Sequence, residues 1–81
     1  MQNYKIDILN YKENGSVRSD CSDITFYNSG NSFLTINGAL PLAPGQSISF
    51  NGNYNEIDRT IYYYSFVGNS GSVTIFRKIY I

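Results

Sequence analysis

Apolar and polar residues alternate along most of this chain with a period of two residues. In residues 4–11, Ile6 and Ile8 share one face of the segment, and Lys5 and Asp7 share the other. Side chains alternate between the two faces of a β-strand, so a period of two is typical of a half-buried strand. We therefore predict a strand over residues 4–11 that buries Ile6 and Ile8.

The same alternation recurs through the rest of the chain. Further strands are predicted over residues 23–27, 32–36, 47–50, 58–67 and 72–81. The last of these is apolar on both faces, with one charge on each, and such a strand needs cover on both faces. The predicted core contributors are Leu34, Ile36, Ile48 and Phe50, and Ile24 and Phe26 are predicted to share one face of their strand.

Turn signals separate these segments. Asn37-Gly38 predicts a tight hairpin, because both residues tolerate the positive φ that such turns require. Pro44-Gly45 suits the centre of a type II turn. Residues 28–31 are predicted to form a turn, residues 12–22 a polar connection, and the glycine-rich residues 68–71 a hairpin loop.

Short strands divided by turns predict an all-β fold. We expect a small antiparallel β-sandwich or jelly-roll-like barrel of about six to seven strands. An open antiparallel sheet is the alternative. The whole chain, residues 1–81, is predicted to form one domain, in which residues 1–22 supply an N-terminal strand and a connecting loop.

Length and composition favour self-association. A chain of 81 residues buries a small core, and small domains gain stability from disulfides, metals or partner subunits. Cys21 is the only cysteine and histidine is absent, so an internal disulfide and a structural zinc site are excluded. Assembly with other copies is the remaining route.

Charge and hydropathy limit the classes of partner that this chain is expected to bind. Six basic and six acidic residues give a net charge of zero. This balance argues against nucleic acid and against electrostatic membrane anchoring. It is equally consistent with a protein that is assembled at rest and with a soluble monomer. The N-terminal residues lack the pattern of a secretory signal, and no apolar run is long enough to span a membrane.

Candidate chemistry is sparse. Without histidine, a serine or cysteine nucleophile lacks its commonest base, and Cys21 lies between Asp20 and Asp23, whose charges raise a thiol pKa. The carboxylate pairs Asp20 with Asp23 and Glu56 with Asp58 read as solvated turn residues, although a small hydrolase would use them. Residues 51–58 loosely resemble a calcium loop, but an asparagine-rich turn explains them better. We expect no catalytic residue, metal or cofactor.

The aromatic residues are more informative. Tyrosine combines an apolar ring with a polar tip, which favours interfaces and sugar-stacking platforms. Three readings are open for these side chains, namely core or cross-strand packing, a protein–protein interface, and a ligand platform. The candidate residues are Tyr62, Tyr63, Tyr64, Phe66 and Tyr80.

Residues 23–81 carry a family resemblance. The segments Ile24-Thr25-Phe26-Tyr27-Asn28-Ser29-Gly30, Leu34-Thr35-Ile36-Asn37-Gly38 and Leu42-Ala43-Pro44-Gly45-Gln46-Ser47, followed by residues 48–50 and the closing residues 77–81, are its basis. Together they resemble small β-sandwich virion proteins of tailed phages, particularly crAss-like phages that infect Bacteroidetes. The resemblance implies a structural role in a capsid or tail, and it offers no catalytic residues.

The sequence therefore predicts a non-enzymatic assembly protein. Its expected form is a homo-oligomer in contact with other virion proteins, as a capsid decoration, vertex or tail-accessory component made in the host cytoplasm. The alternative is a carbohydrate-binding or adhesion module, with a glycan stacked on Tyr62, Tyr64 or Phe66.

Overall fold

The computed structural model describes residues 3–21, 23–51, 57 and 59–80 of the chain. This part of the chain is almost entirely β-structure. One turn of 3₁₀ helix, Val67–Asn69, interrupts the strands. The strands are β1 Tyr4–Tyr11, β2 Gly15–Arg18, β3 Asp23–Asn28, β4 Leu34–Ile36, β5 Leu40–Leu42, β6 Ser47–Asn51, β7 Ile61–Phe66 and β8 Val73–Tyr80.

The strands form two antiparallel four-stranded sheets that pack together as a sandwich. The first sheet has the order β1-β8-β3-β6, and the second has the order β2-β7-β4-β5. The pairing is nested, because the first strand pairs with the last and the second strand with the next to last. The predicted antiparallel sandwich is confirmed, with eight described strands in place of six or seven, and the open single sheet is excluded.

Alternation along the strands builds the core between the sheets. In β3, Ile24 and Phe26 point inward, and in β4, Leu34 and Ile36 do so, all four being almost completely buried. These predictions are confirmed. Ile48 and Phe50, on the edge strand β6, are partly buried against this core. The rest of the buried apolar cluster consists of Val17, Cys21, Leu42, Tyr62, Tyr64, Phe66, Val73 and Ile75.

The predicted facing of β1 is wrong. Ile6 and Ile8 are 51% and 55% exposed on the outer face of the first sheet, whereas Leu9 and Tyr11 pack against the core. The register explains the inversion, because Leu9 lies opposite Ile75 of β8, and Ile75 points inward. Opposite residues in an antiparallel pair share a face, so the odd-numbered positions of β1 face the core.

Two of the predicted turns are confirmed. Asn37 and Gly38 have φ values of 53° and 69°, and the Ala39 N–H donates to the Ile36 carbonyl oxygen, so the pair closes the β4–β5 hairpin. In the second turn, Gly45 has a φ of 85° and the Gln46 N–H donates to the Ala43 carbonyl oxygen, as a type II turn requires.

Two connections differ from their predictions. Residues 12–22 contain strand β2, which pairs with β7. The sequence did not indicate this strand because it is mostly polar, and Val17 is its only buried residue. Residues 68–71 do not close a hairpin, because β7 belongs to the second sheet and β8 to the first. The chain changes sheets at this point, and Gly71 passes so close to Phe66 that a Cβ there would lie 2.4 Å from the ring.

Candidate interaction surface

The buried aromatic residues form the centre of the sandwich. Inward positions alternate along β7, so Tyr62, Tyr64 and Phe66 are 4–6% exposed. The Tyr62 ring packs edge-on against Phe26 at a centroid distance of 5.3 Å. The interface and platform reading is therefore corrected for these three residues, which fill the protomer's own core and cannot stack on a sugar.

The Tyr64 side chain is packed on several sides. Its ring stacks on Tyr11 at a centroid distance of 5.4 Å, and its hydroxyl lies beside Gly15, where an added Cβ would meet it at 2.9 Å. Burial, with a smaller contribution from Tyr11, raises the Tyr64 pKa above 10.0. The hydroxyl therefore stays protonated at neutral pH, and the tyrosine acts as a packing residue.

Tyr63 points away from the core. It is 60% exposed on the outer face of the second sheet, where its backbone N–H donates to Asn37 Oδ1. That Tyr63 lies at an interface stays a prediction. The backbone of Tyr80 pairs with Tyr4 at the end of β8, and its side chain lies outside the described part of the structure.

The outer face of the first sheet carries a cluster of apolar side chains. The sequence pattern predicted that two of them, Ile6 and Ile8, are buried, and it did not identify the others as candidates. On the shared β1–β8 ladder, Ile8 lies opposite Phe76, which is 36% exposed. Tyr4 and Ile6 continue the same face of β1, and both are more than half exposed. We call the four residues Tyr4, Ile6, Ile8 and Phe76 the outer patch.

Polar groups border the outer patch on the same face. The Lys78 ammonium lies 4.6 Å from the centre of the Tyr4 ring and 4.0 Å from Asp23. At the other end of the ladder, the Thr74 hydroxyl donates to Asn10 Oδ1. An apolar centre with a polar rim is the usual anatomy of a protein–protein contact.

The edge of β1 beside the outer patch is open in the described structure. β1 is the first strand of its sheet and pairs with β8 along eight residues. The other three edge strands, β2, β5 and β6, are shorter at four, three and five residues, and β5 contains Pro41, a residue that discourages further pairing. A long edge strand without proline presents backbone N–H and C=O groups to which another strand can bind.

The inner face of β1 carries an ion pair. Arg77 donates through Nε and Nη2 to Oδ2 of Asp7, and the two side chains are 20% and 35% exposed. The same guanidinium donates through Nη1 to the carbonyl oxygens of Arg18 and Ser19. Arg77 of β8 therefore connects β1 to the C-terminal end of β2, an arrangement that the sequence alone did not indicate.

The described residues that were considered for catalysis are buried or lie near oppositely charged side chains. Cys21 is buried in the core cluster, and its thiol donates to the Asp23 carbonyl oxygen at 3.2 Å. Asp23 lies 4.0 Å from the Lys78 ammonium, and Asp20 lies at the same distance from Arg18. Glu56, Asp58 and most of the calcium-like loop 51–58 lie outside the described residues.

No family model matches the chain, and a search of curated proteins finds no match. Within the described ranges, no helix has the length and apolar character needed to cross a membrane.

Proposed function

We propose that this protein is a non-enzymatic structural component that works by assembly, with the outer patch as its contact surface and a second copy of the chain as its first partner. The observation that carries the proposal is the outer patch, whose four apolar side chains are 36–55% exposed on one face of the first sheet. Exposed apolar residues gathered on one face and rimmed by polar groups mark interaction sites. The zero net charge puts little repulsion between copies.

A virion is the proposed setting of this assembly. The nested strand pairing supports it, because eight strands wound in this order in two sheets are typical of jelly rolls, which include viral capsid domains. Lectins and enzymes use the same architecture, so this support is an analogy of fold. The resemblance of residues 23–81 to virion proteins of tailed phages points to the same role, as a capsid decoration, vertex or tail-accessory protein.

Sedimentation equilibrium at low to high micromolar concentration tests the assembly. The wild-type chain should have an average mass above that of one copy. Ile8→Thr, which keeps a β-branched side chain but makes the outer patch more polar, should weaken the association. Tyr63→Thr tests the competing candidate residue on the outer face of the second sheet, and it should leave the association unchanged if the outer patch is the contact surface.

Two results would count against the proposal. A wild-type chain that stays monomeric at high micromolar concentration contradicts assembly, and an effect confined to Tyr63→Thr moves the contact to the second sheet. The neighbouring genes test the virion setting separately. Capsid, portal or tail genes beside this one support it, whereas polysaccharide-utilisation genes contradict it.

A further inference from the structure

The open edge of β1 has a sequence that is complementary to itself. Even-numbered residues of β1 face outward, and odd-numbered residues face inward. Two copies of β1 that pair antiparallel about a twofold axis perpendicular to the sheet must match residues on the same face. The axis therefore passes midway between one residue of β1 and the same residue of the other copy. An axis through Ile6, for example, places the two Ile6 residues opposite each other, and this choice determines every other pair of opposite residues.

The charges on β1 favour one position. An axis through Lys5 or Asp7 places like charges directly opposite each other, which is destabilising. An axis at Tyr4, at Ile8 or further along β1 places neither charge opposite a charged residue of the other copy's β1. An axis through Ile6 places Lys5 of each copy opposite Asp7 of the other, so that two pairs of opposite charges form.

The apolar residues of the outer patch agree with this register. With the axis through Ile6, the two Ile6 side chains lie opposite each other and Tyr4 of each copy lies opposite Ile8 of the other. All three residues are about half exposed in the protomer. Pairing in this register therefore covers apolar surface on the outer face while it joins charges on the inner face.

The ion pair within each protomer leaves an acceptor for the incoming lysine. Both hydrogen bonds from Arg77 reach Oδ2 of Asp7, so Oδ1 has no hydrogen-bond partner among the described residues. A carboxylate can accept hydrogen bonds at both oxygens. The Asp7 side chain is also 35% exposed, so a lysine of the second copy can reach it along the open edge.

We infer that two copies of this chain join through antiparallel pairing of their β1 edges about a twofold axis at Ile6. The pairing fuses the first sheets of both copies into one eight-stranded sheet and places the two outer patches side by side on one face. This inference rests on the proposed assembly function and specifies its first contact. Phe76 of each copy remains on the shared outer face, where a further partner can bind.

Disulfide cross-linking tests the register. In the proposed dimer, Ile6→Cys places two thiols directly opposite each other, at the separation of a cross-strand pair. Ile8→Cys is the matched control on the same face, because its two thiols would be separated by about 13 Å, or four residues along a strand. Mild oxidation should yield covalent dimer at least about tenfold faster for Ile6→Cys. The native Cys21 is buried in both variants and contributes equally.

Charge reversal gives an independent readout. Lys5→Glu sets two like-charged pairs across the dimer and should raise its dissociation constant by about tenfold. Lys12→Glu, which makes the same change at an exposed residue outside β1, should leave the constant within about twofold. Equal effects of the two substitutions would contradict the proposed pairing.

Scattering on the same samples separates the two proposals. If the wild type associates but Ile8→Cys cross-links as fast as Ile6→Cys, the register is wrong and assembly through the outer patch stands. If the wild type remains monomeric at high micromolar concentration, both the pairing and the assembly function are refuted.

Discussion

Asn28 should be the polar residue on which the fold depends most. It lies at the end of β3 and is fully buried. Its Nδ2 donates to the carbonyl oxygens of Ser32 at 2.8 Å and Leu42 at 3.0 Å, and its Oδ1 accepts from the Gly30 N–H at 3.2 Å. One side chain therefore ties together the turn after β3 and the end of β5.

Asn28→Asp keeps the size of the side chain but removes both donors. The two carbonyl oxygens lose their side-chain partner, and a buried polar group left unsatisfied costs about 1–3 kcal/mol. The new carboxylate also faces two carbonyl oxygens. We expect the free energy of unfolding to fall by about 3 kcal/mol or more, from a total of roughly 4–12 kcal/mol for a domain of this size. The expected fall in Tm is at least about 12 °C.

Thermal and urea unfolding measure this loss. Asn31→Asp, at an exposed position of the same turn, makes the same change in charge and should stay within about 0.5 kcal/mol of the wild type. Burial raises the pKa of the introduced carboxyl above about 3.9, so the deficit of Asn28→Asp should grow as the pH rises from 3 to 7. Equal stability of the two variants at pH 7 would refute the role assigned to Asn28.

Two further predictions concern the core. Gly71→Ala places a Cβ against the buried Phe66 ring and should lower the free energy of unfolding by about 1–3 kcal/mol in urea titrations. Ser70→Ala, at an exposed position, should have little effect. Equal losses for the two variants would contradict the close contact between Gly71 and Phe66. The raised Tyr64 pKa means that the folded chain holds a proton which the unfolded chain releases near pH 10, so stability is complete below that pH and falls above it. Tyr64→Phe should reduce this alkaline loss and the exposed Tyr63→Phe should not, as unfolding midpoints at pH 8 to 11 would measure.

The strands and two of the turns could be predicted from the sequence, because their causes are local. Alternation of apolar residues places Ile24 and Phe26 inside, and the conformational freedom of Gly38 and Gly45 places the turns. These features depend on residues that are close together in the chain. The all-β class follows from them directly.

The missed features depend on residues that are distant in sequence. Both faces of β1 carry apolar residues, so alternation could not decide between Ile6 and Leu9, and pairing with β8 decides it. The change of sheets between β7 and β8 likewise depends on which strands pair. The bonds from Arg77 to Asp7 span 70 residues, and no local signal indicates them.

The candidate surface was only partly predictable for the same reason. A need for outside cover follows from the two apolar faces of residues 72–81, and Phe76 is indeed partly exposed. The position of the surface does not follow, since three of the five aromatic candidates turn inward on β7 while isoleucines assigned to the core turn outward on β1. Tertiary pairing determines which of two apolar faces meets the solvent.

Residue-resolved hydrogen exchange at two protein concentrations shows whether the β1 edges of two copies pair in solution. Alternate N–H groups of β1 point to the open edge, and pairing with a second copy gives them acceptors. We predict that these amides exchange more slowly at high than at low micromolar concentration, while those of the edge strand β5 do not change. Exchange rates in β1 that are independent of concentration would contradict the claim that copies of this protein meet at that edge.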